Sequence, residues 1–144
     1  MLVKQVSVFL ENKSGRLAEV SRILGEKNID ISALSIADTT EYGILRLIVN
    51  KPEVAVEALK ENGFSVRTTE VIAICISDRP GGLAEALDRL EQNQIGIEYM
   101  YAFLGNNGLG KAIVILRVED TEKSIEILQN AGVDIMPSTE IYRL

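Results

Sequence analysis

Histidine is absent from all 144 residues, which removes the commonest general base near neutral pH and a favoured metal ligand. Cysteine occurs once, at Cys75, so no internal disulfide forms and a reducing, cytoplasmic setting is expected. Within an apolar strand pattern, Cys75 reads as a small hydrophobe rather than a nucleophile. Metal binding would have to rest on carboxylates, and no loop spaces them as calcium requires. No glycine-rich phosphate cradle follows a strand. No stretch approaches the ~20 apolar residues of a membrane span, and the first residues lack the charged-then-apolar pattern of a leader. Basic charge is in the minority: the net charge is −6 and the sequence pI near 4.8. Nucleic acid is therefore repelled, and no basic amphipathic helix suits a membrane surface. These absences argue against an enzyme and imply no cofactor. Small ligands and other proteins remain as partners.

What is present is present twice. Ser14-Gly15-Arg16-Leu17-Ala18-Glu19 returns as Pro80-Gly81-Gly82-Leu83-Ala84-Glu85, and Ile29 and Ile31 return as Ile95 and Ile97. Further on, Ile44, Leu47, Val49, Glu53 and Gly63 match Ile113, Leu116, Val118, Glu122 and Gly132 across a gap three residues longer. The extra residues are expected at Gly105-Asn106-Asn107-Gly108. The repeat divides the chain into 1–69 and 70–144, each near the lower size at which a core stands alone.

Each copy reads β-α-β-β-α-β. Val6, Val8 and Leu10 alternate with Gln5 and Ser7, the two-residue period of a half-buried strand. Leu17, Val20, Ile23 and Leu24 then space as a helical stripe. Ile29 to Ala33 resumes the strand period, Thr39 to Gly43 turns, and Ile44 to Val49 forms a third strand. Pro52 suits a helix's first turn, Gly63 a helix stop, and Phe64 to Thr68 a closing strand. The second copy predicts strands at 71–77, 95–104, 111–119 and 133–142, with helices at 82–93 and 121–131. No Pro or Gly separates Phe64 from Ser77, so the last strand of copy one is expected to run into the first of copy two. The fold class is α+β: two ferredoxin-like units, each an antiparallel sheet with its helices on one face. Val71 to Ile76 and Ile113 to Leu116 are apolar on both faces, so the outer face needs a cover too, from the sister copy or a second chain.

The loop Asp78-Arg79-Pro80-Gly81-Gly82-Leu83, followed by Gln94-Ile95-Gly96-Ile97, resembles that of an ACT domain. Asn12-Lys13-Ser14-Gly15-Arg16-Leu17 with Asn28-Ile29-Asp30-Ile31 is similar. The resemblance covers essentially the whole chain and is to a free-standing tandem ACT protein. It implies a regulatory protein of amino acid metabolism, a homodimer that holds a small amino acid between ACT units. A first alternative is an accessory subunit docking on a metabolic enzyme, as acetohydroxyacid synthase regulatory chains do. A second is a small acylphosphatase-type enzyme resting on Arg79. Copy one departs from the pattern at Asn12 and Ser14, where an acidic residue and proline are usual.

The loop's own physics points the same way. Amides at a helix start are unpaired and favour an anion. A ligand carboxylate is expected near Gly15 and Arg16, or Gly81 and Gly82, with Asp78 taking an ammonium. Ordinary helix capping by Asn12, Ser14 or Asp78 is the competing reading. Arg16 and Arg79 are candidate carboxylate partners, against the plain alternative of solvated arginines. Asn28 and Gln94, with Ile29 and Ile95, open the second strand of each copy beside the loop and are candidate lining residues. Tyr99, Tyr101 and Phe103 read as core or interface, and Gly105 to Gly108 as a hairpin turn rather than a lid.

Overall fold

Alternation of Val6, Val8 and Leu10 with polar neighbours places one face of β1 (Val3–Glu11) on a core, and all three side chains are buried. The computed structural model describes residues 2–11, 13–38, 41–104 and 110–142. The chain divides into two units, Lys4–Thr69 and Glu70–Tyr142, the latter also taking in Leu2 and Val3. Of the turn expected over Thr39 to Gly43, Thr39 and Thr40 lie outside the described residues, as does Gly105 to Gly108, while Tyr42 and Gly43 already belong to a strand.

In the first unit β1 is followed by α1 (Arg16–Glu26), β2 (Ile31–Asp38), β3 (Tyr42–Val49), α2 (Pro52–Glu61) and β4 (Ser65–Ser77). The strand order is β2-β3-β1-β4. β3 is antiparallel to both neighbours, pairing Val8 with Leu45 and Leu34 with Leu47. Val20, Ile23 and Leu24 of α1 and Ala55, Ala58 and Leu59 of α2 close the core over Val6, Val8, Leu45 and Leu47. Each fully buried Leu or Ile there contributes about 1.5–3 kcal/mol.

The second unit repeats the plan. β4 now serves as first strand, followed by α3 (Gly82–Gln92), β5 (Ile97–Leu104), β6 (Lys111–Val118), α4 (Thr121–Asn130) and β7 (Asp134–Ile135). The order β5-β6-β4-β7 matches that of the first unit. Its core joins Ile72, Ile74, Val114 and Leu116 to Ala86, Leu90 and Leu128 of the helices, with Leu2 packed against it. β4 is one strand of thirteen residues without a break, as the lack of Pro and Gly predicted. The fold is thus α+β, two ferredoxin-like units. Val71, Ala73, Ile113 and Ile115, on the opposite sheet face, are buried within the single chain.

All four long helices stop by one device. The residue after the C-cap is left-handed: Asn28, Gly63, Gln94 and Gly132, with φ of 57, 85, 58 and 78°. The next amide reaches back five residues: Ile29 to the Leu24 carbonyl, Phe64 to Leu59, Ile95 to Leu90 and Val133 to Leu128. These are Schellman closures, each with an apolar residue following the left-handed one.

The last strand departs from expectation. The sequence pattern predicts strand over 133–142, but β7 has only two residues, paired with Ile74 and Cys75. The Met136 N–H makes a final bond to the Ala73 carbonyl, 2.8 Å. Pro137 follows with no N–H to continue the ladder. The chain turns into α5 (Ser138–Ile141), which buries Ile141. Past Cys75, β4 therefore loses its neighbour on that side.

Candidate functional site

The two β-to-α turns have the same backbone. Gly15 and Gly81 are the N-caps of α1 and α3, left-handed at φ 88 and 86°, and no side chain caps either helix. Ser14 and Asp78 are exposed and cap nothing, so the capping reading fails for both. Asn12 lies outside the described residues. The Asp78 carboxylate has no ion-pair partner among the described residues, while its N–H donates to the Gly110 carbonyl at 2.8 Å.

Other expected contacts are already used internally. The Arg16 N–H is turned to the Lys13 carbonyl (3.4 Å) and the Gly82 N–H to the Arg79 carbonyl (3.0 Å), so neither points at a ligand. The Arg79 guanidinium lies 2.6 Å from Glu85, and that of Arg16 lies 3.2 Å from Glu19 while stacking over the Phe64 ring. Glu19 and Glu85 occupy equivalent places in the repeat. Each is neutralised by an arginine from a different place in its loop.

Within its own unit none of Asn28, Ile29, Gln94 and Ile95 lies beside the turn, contrary to the sequence reading. β1 and β2 flank β3 antiparallel to it and so run parallel to each other. β2 consequently begins at the end of the sheet where β1 begins, and the turn lies at the other end. An eleven-residue helix, about 16 Å long, separates them. Ile29 is buried in the first core, and Asn28 and Gln94 shape the helix ends. In the second unit the same argument separates Gln94 and Ile95 from Asp78–Gly82.

Several hollows adjoin the turns. A shallow one of about 330 Å³ in the first unit is lined by Lys13, Ser14, Gly15, Arg16, Glu19 and Arg22. A larger cleft of about 420 Å³ in the second unit follows the β4 edge that the short β7 leaves uncovered. Its lining includes Cys75, Ser77, Gly82, Arg89, Lys111 and Asp134. Of the residues expected in that copy only Gly82 lines it; Asp78, Arg79 and Gly81 stand outside. A Cβ on Gly82 would overlap the Ser77 carbonyl oxygen, so glycine is what lets α3 start so close to β4.

Cys75 is half-buried in this cleft. Burial raises its thiol pKa above the ordinary value; Lys111 opposes the rise, and Asp134 adds to it. The thiol is therefore protonated near neutral pH and a poor nucleophile. Arg89, Lys111 and Asp134 were missed by the sequence reading, because none lies in the repeated loop. A position-by-position contrast of the two copies carries the signal that finds them. Among the described residues no cluster of metal-ligating side chains occurs, and no helix is long and apolar enough to cross a membrane.

Comparison with known proteins follows from this geometry. The ACT domain pair family model matches residues 1–144, and the chain belongs to that family. It is 44% identical to a protein of Bacteroides thetaiotaomicron of known crystal structure, covering 100% of this chain and 98% of that one, with a TM-score of 0.94. It also resembles the fold of the regulatory subunit of aspartate kinase from Thermus thermophilus, in the ligand-free form. That match is 17% identical, covers 90% and 93% of the two chains, and has a TM-score of 0.64. The Thermus flavus regulatory subunit is similar at 15% identity, 90% and 92% coverage and a TM-score of 0.62. A comparison with curated proteins finds no match.

Proposed function

We propose that the chain is a non-catalytic regulatory protein of amino acid metabolism that binds a small amino acid at the β4–α3 corner of its second unit. The observation that carries this reading is the corner itself. A left-handed glycine opens a helix with no side-chain cap, beside a cleft of ligand size and an Asp78 that has no ion-pair partner among the described residues. First-turn amides offer positive potential to a carboxylate, and Asp78 offers a carboxylate to an ammonium. Membership of the ACT domain pair family supports it, as do similar folds that serve as regulatory subunits of aspartate kinase. The acylphosphatase-type reading loses its arginine, since Arg79 is engaged by Glu85.

The protein acts in the cytoplasm as a homodimer in this reading. Leu17, Leu34 and Ile36 in the first unit are exposed, with Leu34 and Ile36 on β2, the outermost strand of its sheet. Sedimentation at micromolar concentration tests the dimer. A thermal-shift screen against the twenty amino acids tests the ligand class. If no amino acid raises the melting temperature, sensing falls and the enzyme-docking subunit takes its place.

A further inference from the structure

By the repeat, the second unit's cleft has an equivalent hollow in the first. Cys75, Gly82, Lys111, Ala131, Val133 and Asp134 correspond to Phe9, Arg16, Tyr42, Asn62, Phe64 and Ser65. Those six first-unit residues line a hollow of about 220 Å³ at the same place in the fold, against about 420 Å³ in the second unit. In the first unit Arg16 lies over the Phe64 ring, 5.9 Å from its centroid, so the chain's own side chains narrow the hollow. In the second unit glycine stands at the arginine's place, valine and cysteine at those of the two phenylalanines.

Charged side chains outside ion pairs, among the described residues, include Arg22 in the first unit's turn hollow and charges of both signs in the second unit's cleft. Lys13, Arg16 and Glu19 at the first turn, and Arg79 and Glu85 at the second, are all in ion pairs. Lys111, Arg89, Asp88 and Asp134, which line the larger cleft, have no ion-pair partner among the described residues. Lys111 on β6, opposite Ser77, and Asp134 on β7, opposite Cys75, flank β4 from its two sides and both act on Cys75, so a cation and an anion border the cleft.

We infer that this cleft is the binding site for a small dipolar molecule, its anionic group taken by Lys111 or Arg89 and its cationic group by Asp134 or Asp88. The inference rests on the amino-acid reading above and deepens it. It puts the ligand in the cleft between β4 and α3 rather than on the outer turn. A volume of about 420 Å³ lies within the ordinary range of small-molecule sites. Charges of opposite sign lining one cleft select a ligand carrying both signs over one carrying either alone.

The only cysteine in the chain reports on the cleft directly. The full-length protein is melted with each of the twenty amino acids, and Cys75 is titrated with a chromogenic disulfide reagent in the presence of any that stabilises it. The expected result is one amino acid that raises the melting temperature by several degrees and slows Cys75 labelling. Lys111→Ala is expected to weaken its binding roughly tenfold to a hundredfold. Val133→Phe, which rebuilds the first unit's Phe64, is expected to abolish it, with folding checked by circular dichroism. A shift lost in Asp78→Ala but kept in Lys111→Ala and Val133→Phe, with Cys75 unprotected, would place the ligand on the turn. That outcome overturns the cleft and leaves the sensor reading standing. No shift with any amino acid overturns both.

Discussion

Gly82→Ala isolates what the second unit's corner requires. Gly82 is the first residue of α3 and is buried, and an added Cβ would overlap the carbonyl oxygen of Ser77. That oxygen belongs to backbone and already accepts the Arg79 N–H at 3.0 Å, so it cannot swing aside as a side-chain tip would. Overpacking of this kind costs about 1–3 kcal/mol. Alanine narrows the unfolded ensemble, which returns about 0.4–1 kcal/mol. A net loss of about 1–2 kcal/mol is expected, or a fall in melting temperature of roughly 2–8 °C at about 2–4 °C per kcal/mol for a chain of this size. Thermal denaturation followed by circular dichroism measures it. Gly81→Ala is a useful companion: its left-handed φ of 86° costs a side chain about 1–2 kcal/mol without a backbone clash. The first unit already carries Arg16 at the place of Gly82, so the backbone plan itself tolerates a side chain. If Gly82→Ala melts at or above the wild type, the close approach of α3 to β4 is wrong, and with it the shape assigned to the cleft.

Gly63→Ala and Gly132→Ala should each destabilise by about 1 kcal/mol through backbone strain alone, since open space surrounds both positions. Asn28→Gly and Gln94→Gly, at the same left-handed place, should cost nothing or gain slightly in urea denaturation; a loss above about 1 kcal/mol would give those side chains a role beyond the helix end. The Cys75 thiol pKa is raised in the native state, so its contribution to stability is intact below the unfolded value near 9.0 and falls away as pH rises above it. Labelling of the native protein should accordingly lag that of the unfolded chain at pH 8, faster in Asp134→Asn and slower in Lys111→Ala; equal rates would refute the assigned surroundings. Fragments 1–69 and 70–144 should express as insoluble or poorly folded chains, because the cut bisects β4 and strips Leu2 from the second core, and two cooperatively melting fragments would refute this.

The fold was largely legible because its signals are local. Alternation at Val6 to Leu10, the helical stripe from Leu17 to Leu24, Pro52 at a helix start and Gly63 after a helix end each state one element's period or limit. The last strand was misread because 133–142 keeps apolar residues at strand-like spacing, while Pro137 decides the outcome by lacking one donor. Asn28 and Gln94 were misplaced for a different reason. Adjacency of loop and strand start in sequence pattern says nothing of the helix between them, and the parallel course of β1 and β2 carries the strand start to the far end of the sheet. The cleft was harder still. Cys75, Arg89, Lys111 and Asp134 come from four elements or joints, and only the two-residue length of β7 leaves the β4 edge open between them.

Duplication turns each unit into a control for the other. Both keep the left-handed glycine before the first helix, the same strand order and the same helix closures, so those features belong to the shared plan and do not distinguish one unit from the other. What the copies do not share is where function can reside. Arg16 stacked on Phe64, with Phe9 beside them, narrows one corner; glycine, valine and cysteine at the same three places leave the other wider. Filling a cavity with apolar and stacked side chains stabilises a domain, and leaving it open forfeits those contacts. An open, charged cleft in the second unit therefore carries a cost in packing that the first unit avoids, and ligand binding to the native state is what offsets such a cost. The asymmetry predicts one ligand per chain, a stoichiometry that isothermal titration reads directly; two equivalent sites per chain would contradict it.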